Sequence, residues 1–589
     1  MADREGRPLH VSLLLAGAMC LLPFLVPYHQ PPIPSFYPEW LAAALGVCAA
    51  LAALVRRATL AGSPPAPSLW LAALALYFLA RASAGQAYPQ IGLLAACYAA
   101  FAALMMWLGA RLATSLGTER VALVLSACLL AGALANALAG AIQFYGRPIL
   151  LEDAVALLSG PRAYGNIAQP NLYANYLALG QCALLFLWFR RRIRTPHALA
   201  LAVALAAGSA LSASRSALLF AAWIGLVGML AGHRHPGPDA RRLKLGAFAV
   251  AACIFAAHFG VPSANEAFHS ARARESAYDR LAVFSAQAVE PRREIYAIGG
   301  GVFATAPVFG VGLGAFPGAA FDRGLDPSLT PSGEVLTSPH NLLLHLLAET
   351  GIVGALLCLA ALGIWGWRLG RRYVSDPQPA LWWIVAAVGI ELIHSLVEFP
   401  LWSADFLGVA ALLMGVGLPL GASSRSAAGA AGICGLLLVV LALLLSDYSR
   451  LDATRITGSA VTLARPADAQ RDAATLRAVG HGLLAPVAEL WIVLGTPVDR
   501  SDLAAKAAMS GRVATFWPSE DVVVRRAVFL ALKGDTDDAR VLLDRALRTF
   551  PQRRAAAIAT IEDASHADAA ALRPLLAVAR GARADDTAK

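Results

Sequence analysis

The stretch Thr337-Ser338-Pro339-His340-Asn341 joins a long polar loop to an apolar run that starts at Leu342 and continues to Trp367. Pro339 cannot continue a helix from behind it, so the sequence predicts a helix start at His340. A neutral imidazole takes a proton near pH 7, and a helix N-terminus favours the neutral form over imidazolium. That suits a general base; the alternative is an interfacial histidine that caps a helix and does no chemistry. Four residues separate His345 from Glu349, and the same spacing separates His394 from Glu398, so each pair shares one helical face. Ionisable residues at membrane depth face protein or a water-filled cavity and mark functional sites. A zinc site is disfavoured, because no paired-histidine spacing occurs and no cysteine ligand is at hand.

Three further groups can bind a polar ligand. Gln169, Asn171 and Tyr173 stand in Gly165-Asn166-Ile167-Ala168-Gln169-Pro170-Asn171-Leu172-Tyr173, at the mouth of an apolar run. Such side chains either cap and anchor a helix or hydrogen-bond a polyhydroxylated ligand such as a sugar; for Gln169 the second role is preferred. Arg215 sits among serines in Ser212-Ala213-Ser214-Arg215-Ser216, where guanidinium and hydroxyl donors match phosphate oxygens, although an arginine at a helical tip can also simply snorkel. Arg272, Arg274, Arg280, Arg292 and Arg293 populate the first part of the loop 262–340. One or two amphipathic interfacial helices are expected there, followed by tight turns at Gly299-Gly300-Gly301 and Gly310-Val311-Gly312-Leu313-Gly314. These glycines are not a nucleotide loop, since no Gly-Lys-Ser/Thr comes after them.

The elements that must hold these residues are membrane helices. With 58% hydrophobic and 15% charged residues in 589 and a mean hydropathy of +0.60, the chain is too apolar for a soluble globular protein. Apolar runs near 9–28, 40–55, 68–84, 91–112, 120–145, 172–189, 197–212, 216–232, 244–261, 341–367, 380–399, 402–421 and 429–447 predict an all-α polytopic protein of about 13 spans. The net charge of +10 does not indicate nucleic-acid binding, because the arginines cluster in alternate short loops, such as Arg190-Arg191-Arg192. The positive-inside rule then places the N-terminus in the cytoplasm. It puts 146–171, 262–340 and everything after Tyr448 on the outer, periplasm-like side. The expected organisation is spans 1–9 over 1–261, a catalytic loop 262–340, spans 10–13 over 341–448, and a periplasmic helical domain 449–589. In that last domain Ala527 to Ala539, continuing through Leu543, Leu547 and Pro551, has the spacing of a tetratricopeptide (TPR-like) hairpin, and the tail after Arg580 is expected to be disordered.

In order and spacing, Gly165-Asn166…Gln169-Pro170-Asn171, Ser214-Arg215-Ser216, Gly310 to Phe316, Pro339-His340-Asn341…Glu349…Gly351 and His394-Ser395…Glu398-Phe399-Pro400-Leu401-Trp402 resemble the O-antigen ligase superfamily of bacterial inner membranes. Within it they are most similar to the PglL-type pilin O-oligosaccharyltransferases. The resemblance implies transfer of a preassembled oligosaccharide from undecaprenyl diphosphate to a hydroxyl in the periplasm. No metal, nucleotide or other cofactor is implied. The acceptor is a pilin-like protein or, alternatively, lipid A core or a growing O-antigen polymer, with membrane lipid as surroundings and no nucleic acid. His340 matches the essential loop histidine. Arg215 and Arg292 match the diphosphate-binding arginines, with Arg293 a rival and Arg280 a further candidate. Gln169 matches the motif glutamine, with Asn171, Tyr173, Glu349, His394 and Glu398 as supporting residues. The family's tryptophan four residues after the loop arginine is Tyr296 here, and its tyrosine before Pro-Leu-Trp is Phe399.

Overall fold

The computed structural model describes residues 2–55, 63–146, 149–235, 237–267, 289–329, 335–418, 420, 426–454 and 474–581. Arg272, Arg274, Arg280 and the tail beyond Gly581 lie outside the described residues, and so does the part from 268 to 288 of the Arg-rich stretch in which amphipathic helices are expected. The described elements are helical: α1 (Ala2–Met19), α2 (Phe36–Leu54), α3 (Ala66–Ala82), α4 (Pro89–Leu116), α5 (Thr118–Tyr145), α6 (Pro170–Phe189), α7 (Thr195–Leu211), α8 (Ser216–Gly232), α9 (Gly237–Ala267), α10 (Val289–Thr305), α11 (Phe316–Asp322), α12 (Leu342–Ser375), α13 (Pro379–Ser395), α14 (Ala404–Val416), α15 (Ser426–Ala453), α16 (Ala485–Gly495), α17 (Leu503–Phe516), α18 (Glu520–Lys533), α19 (Thr536–Thr549) and α20 (Arg554–Arg580).

Eight helices among the described residues, not thirteen, are long and apolar enough to cross a membrane: α1 with its continuation to Leu25, α2, α4, α5, α6, α9, α12 and α15. The five other expected spans form α3, α7, α8, α13 and α14, which are 17, 17, 17, 17 and 13 residues long. At 1.5 Å per residue the longest of them reaches about 26 Å, short of the ~30 Å hydrocarbon core. Hydropathy counts composition and does not see where a helix stops. In the run 402–421, for example, Trp402 belongs to the 3-10 turn Pro400–Trp402, Ser403 is the N-cap and Gly417 the C-cap, so α14 keeps only 13 residues.

The chain divides into two compact units. The first comprises Met1–Ala75, Cys97–Val289 and Leu357–Leu441. It is a helical bundle around Tyr173, Tyr176, Phe186, Trp382 and Trp383, with Phe186 stacked on Trp383 at 5.2 Å between ring centroids. Gly109 of α4 and Gly415 of α14 let two backbones touch, since a Cβ at either would collide with the other helix's carbonyls.

The second unit comprises Leu76–Ala96, Glu290–Leu356 and Ala442–Lys589. Its α18 and α19 form the expected helical hairpin: Ser519 caps α18, and Gly534 ends it in the left-handed conformation at φ +106°. The tetratricopeptide expectation does not hold beyond that hairpin. On its N-terminal side an 11-residue α16 is joined to α17 by a seven-residue connection, and on its C-terminal side stands one 27-residue helix, α20, bent at Asp568. Val524, Val528, Leu543, Ile561 and Leu572 therefore close a local bundle core, with no repeating period to propagate a solenoid.

Candidate active site

In the second unit the candidate residues are held by a broken helix. α12 carries Gly351 at φ 64°, ψ −168°, a region essentially reserved for glycine. The backbone groups freed by that break are taken up by the turn before α11. Val311 N donates to Ala348 O at 2.9 Å, Gly312 N to Glu349 O at 3.0 Å, and Ile352 N to Pro307 O at 2.9 Å. Tyr77 Oη donates to Thr350 O at 2.6 Å. So close is the approach that a Cβ on Gly310 would overlap the Glu349 carbonyl, and one on Gly351 the Val308 carbonyl. Interrupted membrane helices whose loose ends are satisfied by neighbouring backbone are a recurrent way to build a polar site at membrane depth.

Glu349 and His345 sit just before that break, 3% and 2% exposed. Glu349 Oε1 accepts from the backbone N–H of Phe316 at 3.1 Å and lies 3.3 Å from His345 Nε2. His345 also packs on the Phe316 ring at 5.1 Å. The pair thus fixes the start of α11 to α12.

At the other end of this half-helix, Asn341 and not His340 is the N-cap: its Oδ1 accepts from Leu344 N at 3.0 Å. His340 stands one residue outside, correcting the expectation that it starts the helix, because asparagine is the better cap of the two. It is half-buried at φ +49°, with its N–H on Ser338 Oγ at 3.0 Å. A left-handed non-glycine residue is sterically costly and persists only where its surroundings impose it.

The glycines 299–301, expected as a turn, lie inside α10. Gly299 permits close packing, since a Cβ there would come 2.7 Å from Leu344 Cδ2 and 3.2 Å from Pro339 Cβ. Arg292, Ile295 and Gly299 succeed one another at helical spacing, and Ile295 shares a small core with Leu336 and Ala348. Arg292 consequently shares the packed face and is half-buried, whereas Arg293 is exposed, on the face of Gly300, beside which lies open space.

The first unit holds a second polar cluster, made of side chains. Asn171 is its hub. Its Oδ1 accepts from Arg162 Nη2 and from Ser214 Oγ, each at 2.9 Å, and its Nδ2 donates to Glu398 Oε1 at 2.9 Å. Arg162 Nε also donates to Ser212 O at 2.7 Å, so the serine turn that carries half-buried Arg215 is anchored twice. One turn along α6, Asn175 Nδ2 lies 3.0 Å from Glu391 Oε2 and 2.9 Å from His394 Nδ1. Glu391 and His394 are 1% and 0% exposed, with Phe220 edge-on to the imidazole at 5.3 Å.

Gln169 caps α6 through its side-chain oxygen on Leu172 N and lines a cavity of about 190 Å³ with His29 and Asp405. Tyr173 is fully buried, its hydroxyl against Gly140 and Gly208. Asn166 is tied into the bundle through Ala156 N, Leu25 O and Ala154 O. The structure adds Arg162, Asn175 and Glu391 to the expected residues. The only sequence signal for Arg162 was a cation in a loop where the local charge pattern disfavours one. Among the described residues no group of three or more His, Cys, Asp or Glu side chains is arranged to hold a metal ion.

Residues 199–359 match the family described as "O-Antigen ligase", a range that contains Arg215, Arg292, His340, Glu349 and Gly351. Residues 382–562 match "Virulence factor membrane-bound polymerase, C-terminal", which takes in Glu391, His394 and Glu398. Arg162, Gln169 and Asn171 fall outside both ranges. No curated protein matches the chain. Two successive family matches on a multi-pass helical architecture make the chain similar to the O-antigen ligases and membrane-bound polymerases.

Proposed function

We propose that this protein transfers a preassembled glycan from undecaprenyl diphosphate to a hydroxyl of a saccharide acceptor, either lipid A core or the end of a growing O-antigen. The descriptions of the two matched families favour a glycan acceptor over a pilin-like protein. The observation that carries the reaction is His340 itself: a half-buried imidazole on a left-handed turn, one residue before the cap of a helix that is interrupted at Gly351.

In the proposed step the acceptor oxygen attacks the anomeric carbon, and its proton passes to the neutral imidazole of His340. The bond between that carbon and the phosphate oxygen breaks, and undecaprenyl diphosphate leaves with the bonding pair. Arg292, on the packed face of α10, is assigned to the developing charge on the diphosphate in preference to exposed Arg293. Arg215 is given the same task from its serine turn, on the strength of the family resemblance and that turn's hydroxyls. Asn171, Glu398, His394 and Glu349 are positioning residues: the first three brace the serine turn and α13, and Glu349 fixes α11 to α12. Gln169 supports the mouth of α6, and Tyr173 packs within the bundle. The arginine-rich inner loops read from the sequence support a bacterial inner-membrane location with this chemistry on the periplasmic side.

The test is transfer by the full-length protein in lipid nanodiscs with a synthetic undecaprenyl-diphosphate glycan. Lipid A core, glycan and unfolded pilin-like peptide are offered as separate acceptors. Release of undecaprenyl diphosphate that depends on a saccharide acceptor supports the proposal. Release that depends on the peptide replaces it with protein glycosylation, and no release with any acceptor refutes it.

A further inference from the structure

The second unit contains a polar cavity of about 270 Å³ to which the proposed reaction assigns no role. It lies between the turn joining α3 to α4 and the glycine-rich turn 310–314, with Thr515 of α17 at its edge. Gln86 lines it, and both its amide atoms are buried with no hydrogen-bond partner among the described residues. Arg81 lines it as well. One of its terminal nitrogens donates to Gly310 O at 3.3 Å, while its Nε is buried and has no partner among the described residues. Leaving such groups unsatisfied costs about 1–3 kcal/mol each, and the two residues that carry all three line this cavity.

The lining sets the chemistry of an occupant. A primary amide with both atoms unsatisfied needs one donor and one acceptor, which neighbouring hydroxyls supply together. Among the described residues Arg81 is the one charged side chain in the lining, so the cavity carries a positive charge. Tyr88 is already committed, its hydroxyl donating to Glu489 at 2.7 Å, and Glu489 is itself paired with Arg512 at 2.7 Å. Ile91 and Leu313 add an apolar wall against which a ring can lie. The volume lies just below the ~300–1,000 Å³ usual for ligand pockets, which fits a single small unit.

We infer that this cavity is a subsite for one hydroxylated ring carrying an anionic group, a carboxylate or a phosphate, in the saccharide acceptor. The inference rests on the glycosyl-transfer reading above for the ring's origin, while the binding itself does not.

The experiment is saturation-transfer NMR on the full-length protein in nanodiscs, with glucuronate, glucose 6-phosphate and glucose as separate probes. Wild type is expected to bind at least one of the two anionic sugars about tenfold more tightly than glucose, and whichever binds tells carboxylate from phosphate. Gln86→Ala, which leaves the Arg81 to Gly310 bond in place, should lower that affinity about 5- to 30-fold with the melting temperature unchanged. Gln86→Glu should reject the anions and keep glucose. Equal binding of all three sugars, or binding unmoved in both variants, overturns the inference, and so does a protein that transfers glycan yet binds no anionic sugar. Sugar binding without any release of undecaprenyl diphosphate supports the subsite and removes the reaction instead.

Discussion

The two polar clusters are built from different materials. In the first unit, Arg162, Asn171, Ser214 and Glu398 join three segments of chain through side-chain hydrogen bonds. In the second unit, the turn 307–312 and the interruption at Gly351 are joined backbone to backbone, and His345 and Glu349 attach to that frame. A side-chain lattice loses one bond at a time when a residue is replaced. A backbone frame has no side chain to trim, so any substituent at the contact pushes the chains apart.

The largest expected effect comes directly from that difference. Gly351→Ala and Gly310→Ala each place a methyl group on opposing backbone and force a residue with a Cβ into a left-handed conformation, at φ 64° and φ 70° respectively. Loss of at least ~3 kcal/mol is expected for each, seen as a large drop in melting temperature or in the yield of folded protein. Variants as stable as wild type would show that the frame is not what holds the site.

Asn171→Ala removes three hydrogen bonds at once but leaves the backbone untouched. A loss of about 1–3 kcal/mol is expected, most of it from Glu398 and Arg162 left without that partner. A double-mutant cycle with Glu398→Gln should show coupling, and strict additivity would mean that the lattice is a set of independent contacts.

Arg292→Ala and Arg293→Ala sharpen the comparison within α10. The packed-face arginine should weaken donor affinity by about one to two decades, and its exposed neighbour should change it little. Donor binding by the purified variants decides, and equal effects would remove the assignment based on burial.

The last effect is read from pH and concerns Glu520, 4% exposed at the start of α18, with both carboxylate oxygens buried and no partner among the described residues. Burial raises its pKa from 4.5 to about 7, so the folded state holds this proton more tightly than the unfolded chain does. Its contribution is therefore least unfavourable below about pH 4.5, and stability falls as pH rises from there to about 7. Glu520→Gln should raise the melting temperature at pH 8 and leave it unchanged at pH 4. A variant that shifts both equally would place the effect elsewhere.

What the sequence made legible was local. Pro339 marks the approach to α12 and Gly534 the turn that ends α18, because helix breakers act on adjacent residues, whereas the cap of α12 was read one residue early, at His340 in place of Asn341. Hydropathy ran past the ends of α13 and α14, since an apolar run says nothing of a stop after Ser395 or at Gly417. Gly299 read as a turn because a glycine required for helix packing looks the same as one required for a bend; only its neighbour Leu344 distinguishes them. Arg162 was illegible as a site residue for a related reason: its partners, Asn171 and Ser212, are brought to it by tertiary structure. His340 was singled out by position and residue type, while its backbone conformation was not foreseeable from either.

The central claim is that His340 removes the acceptor's proton. The most direct measurement is the pH dependence of glycan transfer by wild type at saturating donor, from about pH 8 to about pH 5, beside donor binding and transfer by His340→Ala. A general base predicts wild-type activity that falls toward acid, and a variant that binds the undecaprenyl-diphosphate glycan normally yet transfers ~10²–10⁴-fold more slowly. Activity that climbs toward acid, together with donor binding lost in the variant, would contradict it and make His340 a cationic phosphate ligand instead.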